Sequence, residues 1–241
     1  MTLMDDERCF ENTSDSLDFG GTLTTDDDIV NLSRLTSLRR LSLRLTDITD
    51  DGLAHIKELT DLQTLDISSN DIGDTGLAHI SHLTRLQSLF IDSTRVTNVG
   101  LNYLRSLVDL TRLELDFTNV GDDGLKSLAF LEQLQQLSLF STSVTDFGMR
   151  QLTTLPRLRE LDLGETRVTD DCVDSIVQLT ELRALGLFST KISDLGLARL
   201  TQLTGLRHIE LGKSRISEAA VEKLRAALPT CCVVCRRINV P

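Results

Sequence analysis

From Leu38 to Asp61 the chain reads LRRLSLRLTDITDDGLAHIKELTD, and the apolar skeleton of this unit returns every 24 residues. One column is Leu38, Leu62, Leu86, Leu110, Leu134, Leu158, Leu182 and Leu206. A second runs from Leu41 to Ile209 and a third from Leu43 to Leu211, neither with a slip. A fixed period of this kind marks a stacked array, in which each unit buries its apolar face against its neighbours. Leu41 and Leu43 are two apart, the spacing of a strand with one buried face, so stacked copies form a parallel sheet. Thr46 heads a column of Thr, Asn and Ser, side chains able to bond the main chain where it leaves the sheet. Thr49-Asp50 opens the returning element. Thr, Ser or Gly fills the cap column and an acid or amide follows it, from Asp50 to Glu218. Leu53, Ile56 and Leu59 then recur at helical spacing.

The pattern LxxLxLxxT followed by I/V-T-D-x-G-L resembles the leucine-rich-repeat family. Within it the match is nearest to the ribonuclease-inhibitor-like branch with 24-residue TDxGL repeats, as in bacterial repeats and those of F-box proteins. The resemblance covers about residues 14–241 and implies an α/β fold, a right-handed solenoid or horseshoe. Its concave side would be a parallel β-sheet and its convex side short helices. The columns divide the chain into an N-terminal tail, 1–13, and a single domain, 14–241, of about nine repeats. Residues 14–37 read as a degraded cap repeat, and 229–241 as a capping strand. The family is mainly a protein-recognition scaffold, so the resemblance implies a protein or peptide partner. The alternatives are a substrate-recognition subunit of a larger regulatory assembly, ubiquitin-ligase-like or effector, or a structural scaffold.

Composition narrows this. The N-terminus, MTLMDDERCFEN, is acidic without an apolar run, and no stretch has the length of a membrane span, so a cytoplasmic chain without membrane contact is expected. Five cysteines, an odd number, point to free thiols. Residues 1–120 carry 21 acids and 10 bases, a net −11; residues 121–241 carry 15 of each, a net 0. A net-acidic chain is a poor nucleic-acid binder, because nonspecific binding depends on Lys and Arg against phosphate.

Function should then lie in the positions between the buried leucines, which face outward. One such column reads Arg44, Ser68, Asp92, Asp116, Phe140, Gly164, Phe188, Gly212. With strands about 4.8 Å apart, Phe140 and Phe188 should stand about 10 Å apart across Gly164, as walls of a trough. Glu160, Asp162 and Glu165 would lie at its floor and side. A Lys or Arg of a partner would meet ring faces and carboxylates together there. Phe90 and Phe117 extend the aromatic surface beside Asp66, Asp92, Glu114 and Asp116. Asp92 and Asp116 are like charges on adjacent strands, with Arg95 and Arg112 placed to offset them. Basic rails flank the second half: Arg159, Arg183 and Arg207 at strand starts, Arg167, Lys191 and Arg215 beyond strand ends, within reach of Glu160, Glu165 and Glu210. They suit an anion or phosphate.

No catalytic set emerges. His208 is the lone concave-side histidine, without a distinctive Ser or Cys partner, and no glycine-rich loop cradles phosphate. His79 and His82 have metal-ligand spacing on the polar convex face, where solvation accounts for them. Cys232 and Cys235 form a CxxC without a second pair, and a strand turns them to opposite faces. Cys172 occupies a column otherwise held by Gly52, Gly76, Gly100, Gly124, Gly148 and Gly196, and reads as a small packed residue. The expectation is a monomeric, non-enzymatic binder with no cofactor and no metal.

Overall fold

A computed structural model describes residues 15–212 and 216–236. Ten strands form one parallel sheet in chain order. They are β1 (Ser16–Asp18), β2 (Arg40–Ser42), β3 (Thr64–Asp66), β4 (Ser88–Phe90) and β5 (Arg112–Glu114). Then follow β6 (Gln136–Ser138), β7 (Glu160–Asp162), β8 (Ala184–Gly186), β9 (His208–Gly212) and β10 (Cys232–Arg236). Neighbours pair one repeat apart: Leu41 faces Leu65, Leu65 faces Leu89, and the step continues to Ile209 against Val233. The three leucine columns from Leu38 to Leu211 are shielded, none of their members more than 2% exposed. Each of β1 to β9 is followed by a short helical return. Asp26–Arg34 and Gly100–Ser106 are 3-10 helices. The α-helices are α1 (Asp50–Leu53), α2 (Asp74–Ile80), α3 (Asp122–Leu128), α4 (Asp146–Leu152), α5 (Val173–Ile176), α6 (Asp194–Leu200) and α7 (Glu218–Ala227). The α/β horseshoe expected from the repeat is the fold observed. Residues 1–14, which include the tail, lie outside the described residues, as do Ser214 and Arg215.

The polar columns act as the repeat suggests, and more. The Thr118, Thr142 and Thr166 hydroxyls each donate to the main-chain carbonyl three residues back, at 2.6–2.7 Å. Asn70 reaches further: its amide donates to Leu43 O at 2.7 Å while its oxygen accepts from Thr46 N at 2.9 Å. The sequence places the acid column favourably for its own helix N-terminus. Its carboxylates in fact also bridge to the next repeat. Asp122 accepts from Thr145 N at 2.7 Å and from the Thr145 hydroxyl at 2.6 Å. Asp146 holds Thr169 in the same way, and Asp26, Asp74, Asp170 and Asp194 hold Thr49, Thr97, Ser193 and Ser217. The hydroxyl so gripped accepts from a helix N–H, for example Phe147 N to Thr145.

This ladder explains the glycines. A Cβ on Gly148 would come 2.3 Å from Asp122 Oδ1, 3.0 Å from Leu125 and 3.1 Å from the Asp122 Cα. Gly76, Gly100 and Gly196 have a carboxylate of the preceding repeat in the same place. In this column Cys172 is fully buried, and burial followed by the Asp146 and Asp170 charges pushes its thiol well above the usual range.

A further column had no sequence signal. Leu45, Ser69, Ser93, Phe117, Ser141, Glu165 and Ser189 all have φ between 52° and 57°. The left-handed region costs a non-glycine residue about 1–2 kcal/mol. The conformation is retained because each N–H continues the ladder to the next repeat, as Ser93 N does to Asp116 O at 2.7 Å and Phe117 N to Phe140 O at 2.9 Å.

Gly148→Ala tests the ladder. At an open helix position this change stabilises by up to about 1 kcal/mol. Here the Cβ meets the Asp122 carboxylate and main chain, so a loss of about 1–3 kcal/mol is expected in denaturant unfolding. A gain would refute the steric account.

Candidate binding face

Strand pairing lines up the central outward column as Ser42, Asp66, Phe90, Glu114, Ser138, Asp162, Gly186 and Glu210. Although it faces outward, this column is mostly covered. Asp66 and Phe90 are 1% exposed, and Glu114 and Asp162 are also buried. Strands about 4.8 Å apart bring each side chain against its neighbours, and larger ones lie across the smaller. Phe90 is therefore not exposed aromatic surface. The Arg112 guanidinium lies 5.0 Å from its ring centroid and binds Glu114 through Nη2 at 2.7 Å and Nε at 3.1 Å. Phe90 and Glu114, expected at the exposed surface, are instead buried together with Arg112, which is itself only 2% exposed.

The second outward column departs from expectation in the opposite sense. No trough separates Phe140 from Phe188. A Cβ on Gly164 would come within 2.5 Å of the Phe140 ring, so that ring has leaned into the space glycine leaves. Its centroid lies 6.4 Å from that of Phe188, with the planes at 23°. Phe117, delivered by its left-handed backbone, meets Phe140 at 5.4 Å and 59°. Three rings thus make one continuous ladder, with Phe117 56% exposed and Phe140 and Phe188 half-buried. The glycine was visible in the sequence, but the direction of lean was not.

The acids divide into two layers. Asp162 lies below: its carboxylate occupies the space over Gly186 and accepts from Gly164 N at 2.8 Å. Glu165 is exposed, with its N–H on Phe188 O at 2.7 Å. Asp92 is half-buried, and Arg95 ion-pairs with Asp71 at 2.5 Å. Asp116 is the electrostatic centre. Its Oδ1 accepts from the Ser138 hydroxyl and, at 2.9 Å, from Phe140 N. Burial, reinforced by the Asp162 and Glu114 charges, raises its pKa to about 7 against these bonds. Ser138 was not singled out in the sequence, where it looks like any other small strand residue.

Other expectations resolve as follows. Register places Cys232 opposite His208 on the neighbouring strand, so His208 does have a cysteine beside it. Cys235 pairs with Leu211, which sets the two CxxC cysteines on opposite sides of β10. His82 Nε2 bonds Lys57 O on the convex side. Among the described residues no group of three or more His, Cys, Asp or Glu side chains is arranged to hold a metal. No described helix is long and apolar enough to cross a membrane.

Asp116 makes stability depend on pH. Its folded-state pKa lies above the unfolded one, so the folded chain keeps a proton that the unfolded chain has lost. Stability from this group is full below about pH 4 and falls as pH rises to about 7, where the ionised carboxylate is fully penalised. Asp116→Asn keeps the Oδ1 acceptor and removes the charge. It should stabilise at pH 8 by on the order of a few kcal/mol, with the difference shrinking toward pH 4. Denaturant unfolding at pH 8, 6 and 4 checks this; a pH-independent difference would contradict it.

Known proteins agree with this architecture. The family profile described as "Leucine-rich repeat region" matches residues 16–147. An internalin of Listeria monocytogenes superposes with a TM-score of 0.62 at 19% identity, over 88% of this chain and 71% of its own. Internalin C2 of the same species gives 0.66 at 24%, over 88% and 84%. A leucine-rich-repeat protein of Leptospira interrogans gives 0.65 at 20%, over 90% of this chain and 59% of that one. At these identities the likeness is one of fold. No curated protein matches. With its periodic columns, its sheet and the match over more than half its length, the chain belongs to the leucine-rich-repeat family.

Proposed function

We propose that the concave face is a protein-binding site that grips a Lys- or Arg-bearing segment of a partner. Leucine-rich-repeat proteins are typically protein-interaction modules, and this reading assigns the contact surface within one. The observation that carries it is the continuous ladder Phe117–Phe140–Phe188, bordered by Asp116, Asp92 and Glu165. Phe90, Glu114 and Asp162 form the buried layer that supports it. A cation over an aromatic face gains about 0.5–2 kcal/mol, and a carboxylate within reach adds a charge-assisted bond. The repeats are read as the 24-residue TDxGL type of the ribonuclease-inhibitor-like branch. The module acts as a cytoplasmic monomer without catalysis, and its net charge of −11 favours a basic protein over nucleic acid.

The test is capture of Lys/Arg-rich peptides by wild type and by Phe140→Ala/Phe188→Ala. Affinity should fall roughly tenfold or more in the double variant. Phe117→Gly serves as a second variant, since glycine accepts φ 55° without strain and leaves unfolding within about 1 kcal/mol of wild type. Undiminished capture by both variants would sink the proposal.

A further inference from the structure

The strand-start edge of the second half carries three arginines on consecutive strands. Their main chains are bonded directly, Arg183 N to Arg159 O at 2.7 Å and Arg207 N to Arg183 O at 2.8 Å. Like charges so placed repel unless something neutralises them. The expected neutralisation by Glu160, Glu165 and Glu210 is not what holds them. Arg183 reaches Glu181 at 3.5 Å, a half-exposed pair of the kind that contributes little. Arg207 Nη1 donates instead to the carbonyls of Thr204 and Leu206, at 3.2 and 3.1 Å, and to the Thr230 hydroxyl at 3.2 Å. Arg183 Nη1 lies over Gly205, where a Cβ would meet it at 2.0 Å, with Leu182 O at 3.4 Å. Arg159 is exposed and makes no ion pair among the described residues. Carbonyls orient a guanidinium without cancelling its charge and leave it further N–H donors.

We propose that Arg159, Arg183 and Arg207 form a second binding site, an arginine strip that takes a short acidic stretch of a partner polypeptide. Two strand spacings make the strip about 10 Å long, and carboxylates two residues apart on an extended chain are separated by about 7 Å. Two such carboxylates therefore fit, each able to make paired bonds to a guanidinium. In the same column the four preceding repeats carry the uncharged Gln63, Gln87, Thr111 and Gln135, and Arg39 stands further back beside Asp15, so only in the second half do arginines occupy consecutive strands. A longer polyanion such as nucleic acid would extend over the acidic half of the chain, which repels it.

The experiment is fluorescence anisotropy of a labelled short oligoglutamate peptide at low salt. Arg159→Gln/Arg183→Gln should weaken binding roughly tenfold, and raised salt should weaken the wild type. Arg85→Gln/Arg95→Gln, an equal charge change at arginines paired with Asp61 and Asp71, should leave binding unaltered. Arg159→Lys/Arg183→Lys should retain part of it, and Phe140→Ala/Phe188→Ala all of it, which separates this site from the concave face. Thermal unfolding of each variant confirms the fold. Equal affinity in the strip variant, equal loss in the Arg85/Arg95 control, or preference for a single-stranded oligonucleotide of equal charge would overturn the proposal.

Discussion

Every repeat in this chain is half a structure until the next one closes it. Leu41 and Leu43, Ile48 and the helix stripe of Leu53, Ile56 and Leu59 present more apolar surface than one unit can cover, so all are buried only in the stack. The requirement reaches the polar residues too. An aspartate at the start of one helix bonds the cap of the following helix, and where the column two residues beyond that aspartate's counterpart holds glycine, the carboxylate lies in the space the missing side chain leaves; Cys172 and Ala220 stand in that column with the Asp146–Thr169 and Asp194–Ser217 bonds intact. Spacing, cap and acid are therefore one device. A change in repeat length would break all three together.

The same close stacking shapes the concave face. At strand spacing there is no room for large side chains to stand side by side, so they lie across smaller neighbours. Phe140 lies over Gly164 and Asp162 over Gly186, while Arg112 packs against the Phe90 ring. The result is a layered surface. Buried charges such as the Arg112–Glu114 pair form its lower tier, and the Phe117–Phe140–Phe188 ladder forms its upper one. Asp116 sits between the tiers, which is why its carboxyl is held so far from its ordinary range.

The chain is also electrostatically polar along its length. The acidic first half and the balanced second half give the two ends different potentials, and Arg159, Arg183 and Arg207 of the second half stand together at the strand-start edge. Aromatic rings with acids on the concave face and arginines on the strand-start edge are complementary to opposite chemistries. The array thus offers two surfaces of unlike character on one rigid frame.

The amino-acid sequence alone determined the parallel sheet, its register, the buried columns and the outward columns. Those properties depend on residue type repeated at a fixed period, and a period survives without coordinates. Tertiary structure decided which outward residues reach solvent. Whether Phe90 is exposed depends on where an arginine one strand away comes to rest, and whether Phe140 and Phe188 touch depends on the direction of lean over Gly164. Neither is encoded in spacing. The left-handed column is the same case: Leu, Ser, Phe and Glu give no local sign of positive φ, because pairing with the next repeat imposes it. A repeat writes its scaffold into every unit, but the surface arises only between units.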